Sequence, residues 1–137
     1  MNKSKLLIGL LLTSLLFVWG CTREQTYRYT DFEHIEHWDN LDRLQGDKTI
    51  IYYYDPFCDI CIALEEPVTK LLKQLENDIE IFLINDGKIY EQGEPDFETF
   101  GVPSLIIFYN QEFYEWISGS NPTLEYLENE LESLSKE

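Results

Sequence analysis

The 137-residue sequence predicts an α/β domain, with a central mixed sheet of four to five strands flanked by helices. Three observations predict it. Runs rich in β-branched and aromatic residues recur at 48–54, 79–84 and 104–109, each about the length of a buried strand. Segments with apolar residues at helical spacing follow at 62–75 and 124–134. Strands and helices alternate along the chain, the pattern of layered α/β packing.

Composition sets the frame. The length suits one domain, and 44% apolar with 15% aromatic residues can supply a solid core. A net charge of −16 argues against nucleic acid or an anionic lipid surface as a partner.

The N-terminus reads as a separate unit. Lys3 and Lys5 precede a leucine-rich run at 6–18, shorter than the roughly 20 residues that span a bilayer. Residues 1–20 therefore read as a secretory signal peptide. It ends at Val18-Trp19-Gly20-Cys21, which resembles the lipobox of bacterial lipoproteins. That resemblance implies a lipid on Cys21 and a chain held at the extracytoplasmic face of the cell membrane. An uncleaved N-terminal anchor is the alternative, and it leaves the domain on the same side. Residues 21–30 read as a tether, with a short first strand at 27–29, and residues 31–137 as the domain.

Within the domain, Phe32, Ile35, Trp38, Leu41 and Leu44 recur every third residue and suggest an amphipathic helix stopping near Gly46. The strand at 48–54 follows. A helix is expected over 58–76, with Ile62, Leu64, Val68, Leu71, Leu72 and Leu75 inward and a kink at Pro67. After the strand at 79–84, Asn85-Asp86-Gly87 signals a turn. A loop and a short helix at 96–100 are expected next. The strand at 104–109, a tight turn at Asn110-Gln111 and a half-buried edge strand at 112–117 should form a hairpin. Asn121 as N-cap and Pro122 at the first helical position should open the last helix. Its buried stripe is Leu124, Leu127, Leu131 and Leu134, opposite a solvated acidic face.

The chemistry concentrates at Tyr54-Asp55-Pro56-Phe57-Cys58-Asp59-Ile60-Cys61, where a strand ends and a helix begins. Unpaired N–H groups and the positive dipole end of a helix favour a thiolate there. Of three cysteines, a lipidated Cys21 leaves only this pair. A disulfide closing so small a loop staples little, so the pair is better explained by redox chemistry. Two alternatives stand beside this reading. His34 and His37, three apart, could complete a Cys₂His₂ zinc site with Cys58 and Cys61. The domain could also be a non-catalytic module that binds an exported partner.

The motif, Pro67 in the following helix, Gly101-Val102-Pro103-Ser104 entering a strand and Gly119 after the last strand together resemble the thioredoxin-like family over about residues 32–134. The resemblance implies that Cys58 attacks and Cys61 resolves, that Pro103 is cis, and that Val102 offers backbone groups to a client strand. Tyr54 and Phe57 would form an apolar rim for that client. No cofactor is implied beyond the Cys58–Cys61 disulfide. The partners implied are exported protein thiols or disulfides and a membrane redox partner. Two positions depart from the family: Tyr52 stands where a buried aspartate is usual, and Phe57 where a tryptophan is usual. Asp59 and the lack of a basic residue in the motif point towards a reductant rather than a strong oxidant.

Overall fold

A computed structural model describes residues 24–89 and 101–136. The expected signal peptide, Cys21 and the expected helix at 96–100 lie outside the described residues. The strands are β1 (Lys48–Tyr54), β2 (Glu80–Asn85), β3 (Ser104–Tyr109) and β4 (Glu112–Ser118). They form one sheet in the order β2-β1-β3-β4. β1 pairs parallel with β2 and antiparallel with β3, so the sheet is mixed. The helices are α1 (Asp59–Leu75), a single turn α2 (Asp86–Ile89), and α3 (Ser120–Leu134).

β1 is central, which explains its continuous apolar sequence: a strand buried on both faces needs no polar alternation. Its side chains divide between two cores. Ile50, Tyr52 and Tyr54 join Leu83, Leu105 and Ile107 beneath the buried stripe of α1 and Leu127 of α3. Ile51 and Tyr53 join Phe82, Ile84, Ile106 and Phe108 on the other face. Each fully buried aliphatic side chain of this kind contributes about 1.5–3 kcal/mol.

α1 buries Cys61, Leu64, Val68, Thr69, Leu72 and Leu75, spaced at three and four residues. Ile62, expected inward, is exposed: one residue on from Cys61, it lies about 100° round the helix. The helix runs through Pro67. Both Pro67 and Ala63 are exposed, so the Ala63 carbonyl that proline leaves without a donor can face water.

The segment at 32–44 is not the expected α-helix. Leu83 pairs with the chain at His34: Ile35 N–H donates to Leu83 C=O and Leu83 N–H donates to Glu33 C=O, both at 2.9 Å. A 3₁₀ helix, Trp38–Arg43, follows. A strict period of three does not match 3.6 residues per turn, and extended plus 3₁₀ backbone satisfies it instead. The stretch at 27–29 is no strand either. Tyr29–Asp31 is a 3₁₀ turn, and Tyr29 is buried, so packing begins within the segment read as tether.

The hairpin forms as expected, with positive φ at both Asn110 and Gln111. β4 is more exposed than half-buried, with only Trp116 and Ile117 partly covered. α3 begins earlier than expected. Gly119 is its N-cap, and its carbonyl accepts the Thr123 N–H at 3.1 Å. Pro122 is thus the third helical residue, where its missing N–H is still among the four that a helix leaves unpaired.

Candidate active site

A tight turn carries β1 into α1. The Asp55 carboxylate accepts the Phe57 N–H at 2.8 Å, and the Asp55 carbonyl accepts the Cys58 N–H at 3.2 Å. Cys58 is the N-cap of α1; its carbonyl accepts the Ile62 N–H at 2.9 Å while its side chain makes no capping bond. Cys61 heads the buried stripe of the same helix. Three residues apart, the two sulfurs share a face. Cys58, at the helix end, stays half-buried, whereas Cys61 is fully buried; both are free thiols.

Burial pushes the Cys61 thiol up to about 12. A hydrogen bond from the Asp55 backbone opposes this, while the Cys58 sulfur and the Asp55 carboxylate add to it. At neutral pH Cys61 is therefore held as a thiol. Solvent and a reaction partner reach Cys58 first.

The Val102–Pro103 peptide is cis. Pro103 is buried, and its carbonyl accepts the Gly119 N–H at 2.9 Å. Gly119 has φ +103°, a conformation L side chains rarely adopt, which is the reason for glycine there. Val102 is partly buried and packs against the core that holds Tyr54 and Cys61, as does Cys58. The fold thus brings Cys58, Cys61, Tyr54 and Val102 to one end of the helical face.

The expected rim is only half present. Phe57 is 88% exposed, and Ile60 joins it as an exposed apolar side chain. Tyr54 is not a rim residue. It is buried, and its hydroxyl lies 2.9 Å from His34 Nε2. The other ring nitrogen, His34 Nδ1, lies 3.0 Å from the Phe32 carbonyl, which can only accept. The neutral ring therefore carries its proton on Nδ1, and Nε2 accepts from Tyr54. Burial, partly opposed by the Phe32 bond, holds His34 below its ordinary value of 6.5. Both nitrogens being engaged, His34 has none left for a metal, and His37 is exposed. Among the described residues no group of three or more His, Cys, Asp or Glu could hold a metal ion. Pairing with Leu83 sets His34 one hydrogen bond from Tyr54, at the start of the motif.

The sequence did not reveal a hydroxyl network beside Cys61. The Tyr29 hydroxyl donates to the Cys61 carbonyl at 2.6 Å and lies 3.1 Å from the Tyr52 hydroxyl. Tyr29 N–H also donates to the Glu65 carboxylate at 3.1 Å, so the leading segment clasps the first turns of α1. Burial, above all, raises both tyrosines above their ordinary value of 10.0, so they stay neutral. The one sequence signal was Tyr52 standing where a carboxylate is usual.

No family model matches the chain, and no curated protein matches it in sequence. Solved structures do. Mitochondrial thioredoxin 3 from Saccharomyces cerevisiae, in its oxidized form, superposes with a TM-score of 0.63 at 21% identity, covering 77% of this chain and 97% of that one. Thioredoxin from Trypanosoma brucei brucei gives 0.62 at 16% identity over 85% and 99%, and Fasciola hepatica thioredoxin 0.61 at 14% over 74% and 97%. The mixed four-stranded sheet flanked by helices, superposing on these neighbours, gives this chain the thioredoxin fold.

Proposed function

We propose that this chain is an extracytoplasmic thiol–disulfide oxidoreductase, lipid-anchored through Cys21, that reduces or exchanges disulfides of exported proteins. The observation that carries the reading is the inequality of its two sulfurs: a half-buried Cys58 at the N-cap of α1 above a fully buried Cys61. The thioredoxin neighbours support it through the fold. The Cys58 thiolate attacks one sulfur of a client disulfide and expels the other as a thiolate, which takes a proton from solvent. Cys61 loses its proton, attacks the Cys58 sulfur, and forms the Cys58–Cys61 bond; the second client sulfur leaves and is protonated. Two electrons pass from the dithiol to the client, and a membrane redox partner restores the dithiol. Phe57 and the Val102 backbone would flank the client chain. Among the described residues no helix is long and apolar enough to cross a membrane.

The test equilibrates the detergent-solubilised chain against thiol buffers and counts the Cys58 and Cys61 thiols. A reversible disulfide near about −270 mV supports a reductant; near about −120 mV the chemistry stands with its direction reversed. No reversible disulfide overturns the redox reading in favour of a binding module. Cys58→Ser should abolish client reduction, while Cys61→Ser should trap the client as a mixed disulfide. Labelling with radioactive fatty acid, lost in Cys21→Ser, tests the anchor.

A further inference from the structure

The buried hydroxyls beside Cys61 have a fixed direction. The Cys61 carbonyl can only accept, so the Tyr29 proton points at it. The Tyr29 oxygen must then accept from Tyr52, whose own proton is committed to that bond. The series runs from Tyr52 O–H through Tyr29 O–H to the carbonyl of Cys61. Tyr52 is fully buried and belongs to the central strand, so the series ties the start of α1 to the most rigid part of the sheet.

We propose that Tyr29 and Tyr52 are positioning residues for Cys61: their hydroxyls hold the first turn of α1 in place and ease loss of the resolving thiol's proton. This rests on the thiol–disulfide reading above. The titratable groups around Cys61 are Cys58 at the N-cap of α1, Glu65 on α1, Asp55 in the turn, Tyr52 and Tyr54 on β1 and Tyr29 in the leading segment. Asp55 and Cys58, when charged, oppose a Cys61 thiolate. The Tyr29 proton offsets the negative end of the Cys61 carbonyl, which otherwise opposes charge on the sulfur of the same residue, and Tyr52 holds the Tyr29 hydroxyl in that orientation. In the resolving step the Cys61 proton goes to solvent, its sulfur attacks Cys58, and the client sulfur leaves with the electron pair of the broken bond.

The test uses the detergent-solubilised full chain, with Cys21→Ser so that no third thiol reacts, and dithionitrobenzoate as probe. Cys58 attack releases one coloured thiolate, and Cys61 resolution releases a second. Tyr29→Phe and Tyr52→Phe each remove one hydroxyl and keep the ring. Circular dichroism shows whether each is folded, and either variant alone carries the test. We expect an unchanged first phase. The second phase should slow about threefold to tenfold near neutral pH, the scale of one ordinary hydrogen bond, and its pH midpoint should move up. A purely structural role would lower stability and leave that midpoint alone. Folded variants with the parent's second phase and midpoint overturn the proposal. A parent without a second phase overturns the redox reading itself, and the proposal with it.

Discussion

The two faces of the sheet are equally dry and differently covered. On one face Tyr52 and Tyr54 lie under α1 and α3, two helices packed on each other. On the other, Tyr53 lies with Ile35, Trp38 and Leu44 of the irregular leading segment, Ile89 of α2, and Trp116 of β4. Exclusion of water does not distinguish them, since Ile50, Ile51, Tyr52 and Tyr53 are each no more than 1% exposed. The difference lies in what a regular helix adds to burial. Only an α-helix delivers a row of aligned N–H groups to one point, and Cys58 sits at that point. Among the described residues the Tyr53 face closes a core; the α1 face closes a core and aims a sulfur.

Three experiments would break or sharpen this contrast. The largest effect is on stability. Leu72 of the helical face and Ile84 of the other are both fully buried, so Leu72→Ala and Ile84→Ala should each cost about 2–5 kcal/mol in denaturant unfolding. A cost for Ile84→Ala below about 1 kcal/mol would show that the cover of that face collapses where helical cover does not. Next come neighbours on one strand. Tyr53 donates a hydrogen bond to the Asp86 carboxylate on the face away from the cysteines. Tyr53→Phe should cost about 1–3 kcal/mol and leave both phases of the dithionitrobenzoate reaction as in the parent, unlike Tyr52→Phe. A shifted resolving phase in Tyr53→Phe would mean the two faces are not independent.

The smallest effect is a pH dependence. Folding holds His34 below 6.5, so as pH falls through 6.5 the unfolded chain takes up the proton first. Unfolding is thereby favoured: stability should decline as pH drops below 6.5 and recover above it. His34→Gln should flatten that slope, measured as denaturant midpoints on either side of 6.5. An unchanged slope would place the titration elsewhere.

Much of the fold was legible because its signals are local. The runs at β1, β2 and β3 are continuous because both faces of those strands are covered, and the stripe of α1 keeps helical spacing through Leu64, Val68, Leu72 and Leu75. The cis Val102–Pro103 bond followed from the family resemblance. What failed was also physical. Ile35 and Trp38 have a period of three that extended and 3₁₀ backbone share, and pairing with Leu83 decided between them and a helix. Tyr54 looked like a surface aromatic from its place beside the motif, but it faces His34 inside. The Tyr29–Tyr52 contact joins residues 23 apart, and no local pattern announces a hydrogen bond across that distance.

The clasp of the leading segment on α1 has a further consequence for reach. Thr69 donates to the Tyr27 carbonyl at 3.0 Å, so the chain is fastened to the reactive helix as far back as Tyr27. Cys21 precedes Tyr27 by six residues. Fully extended, that leash is at most about 22 Å long. In the proposed anchored form the domain therefore works in a thin layer against the bilayer, and cannot sample the wider compartment. Partners tethered to the same membrane would meet Cys58 at high local concentration, and freely diffusing ones only where they graze the surface.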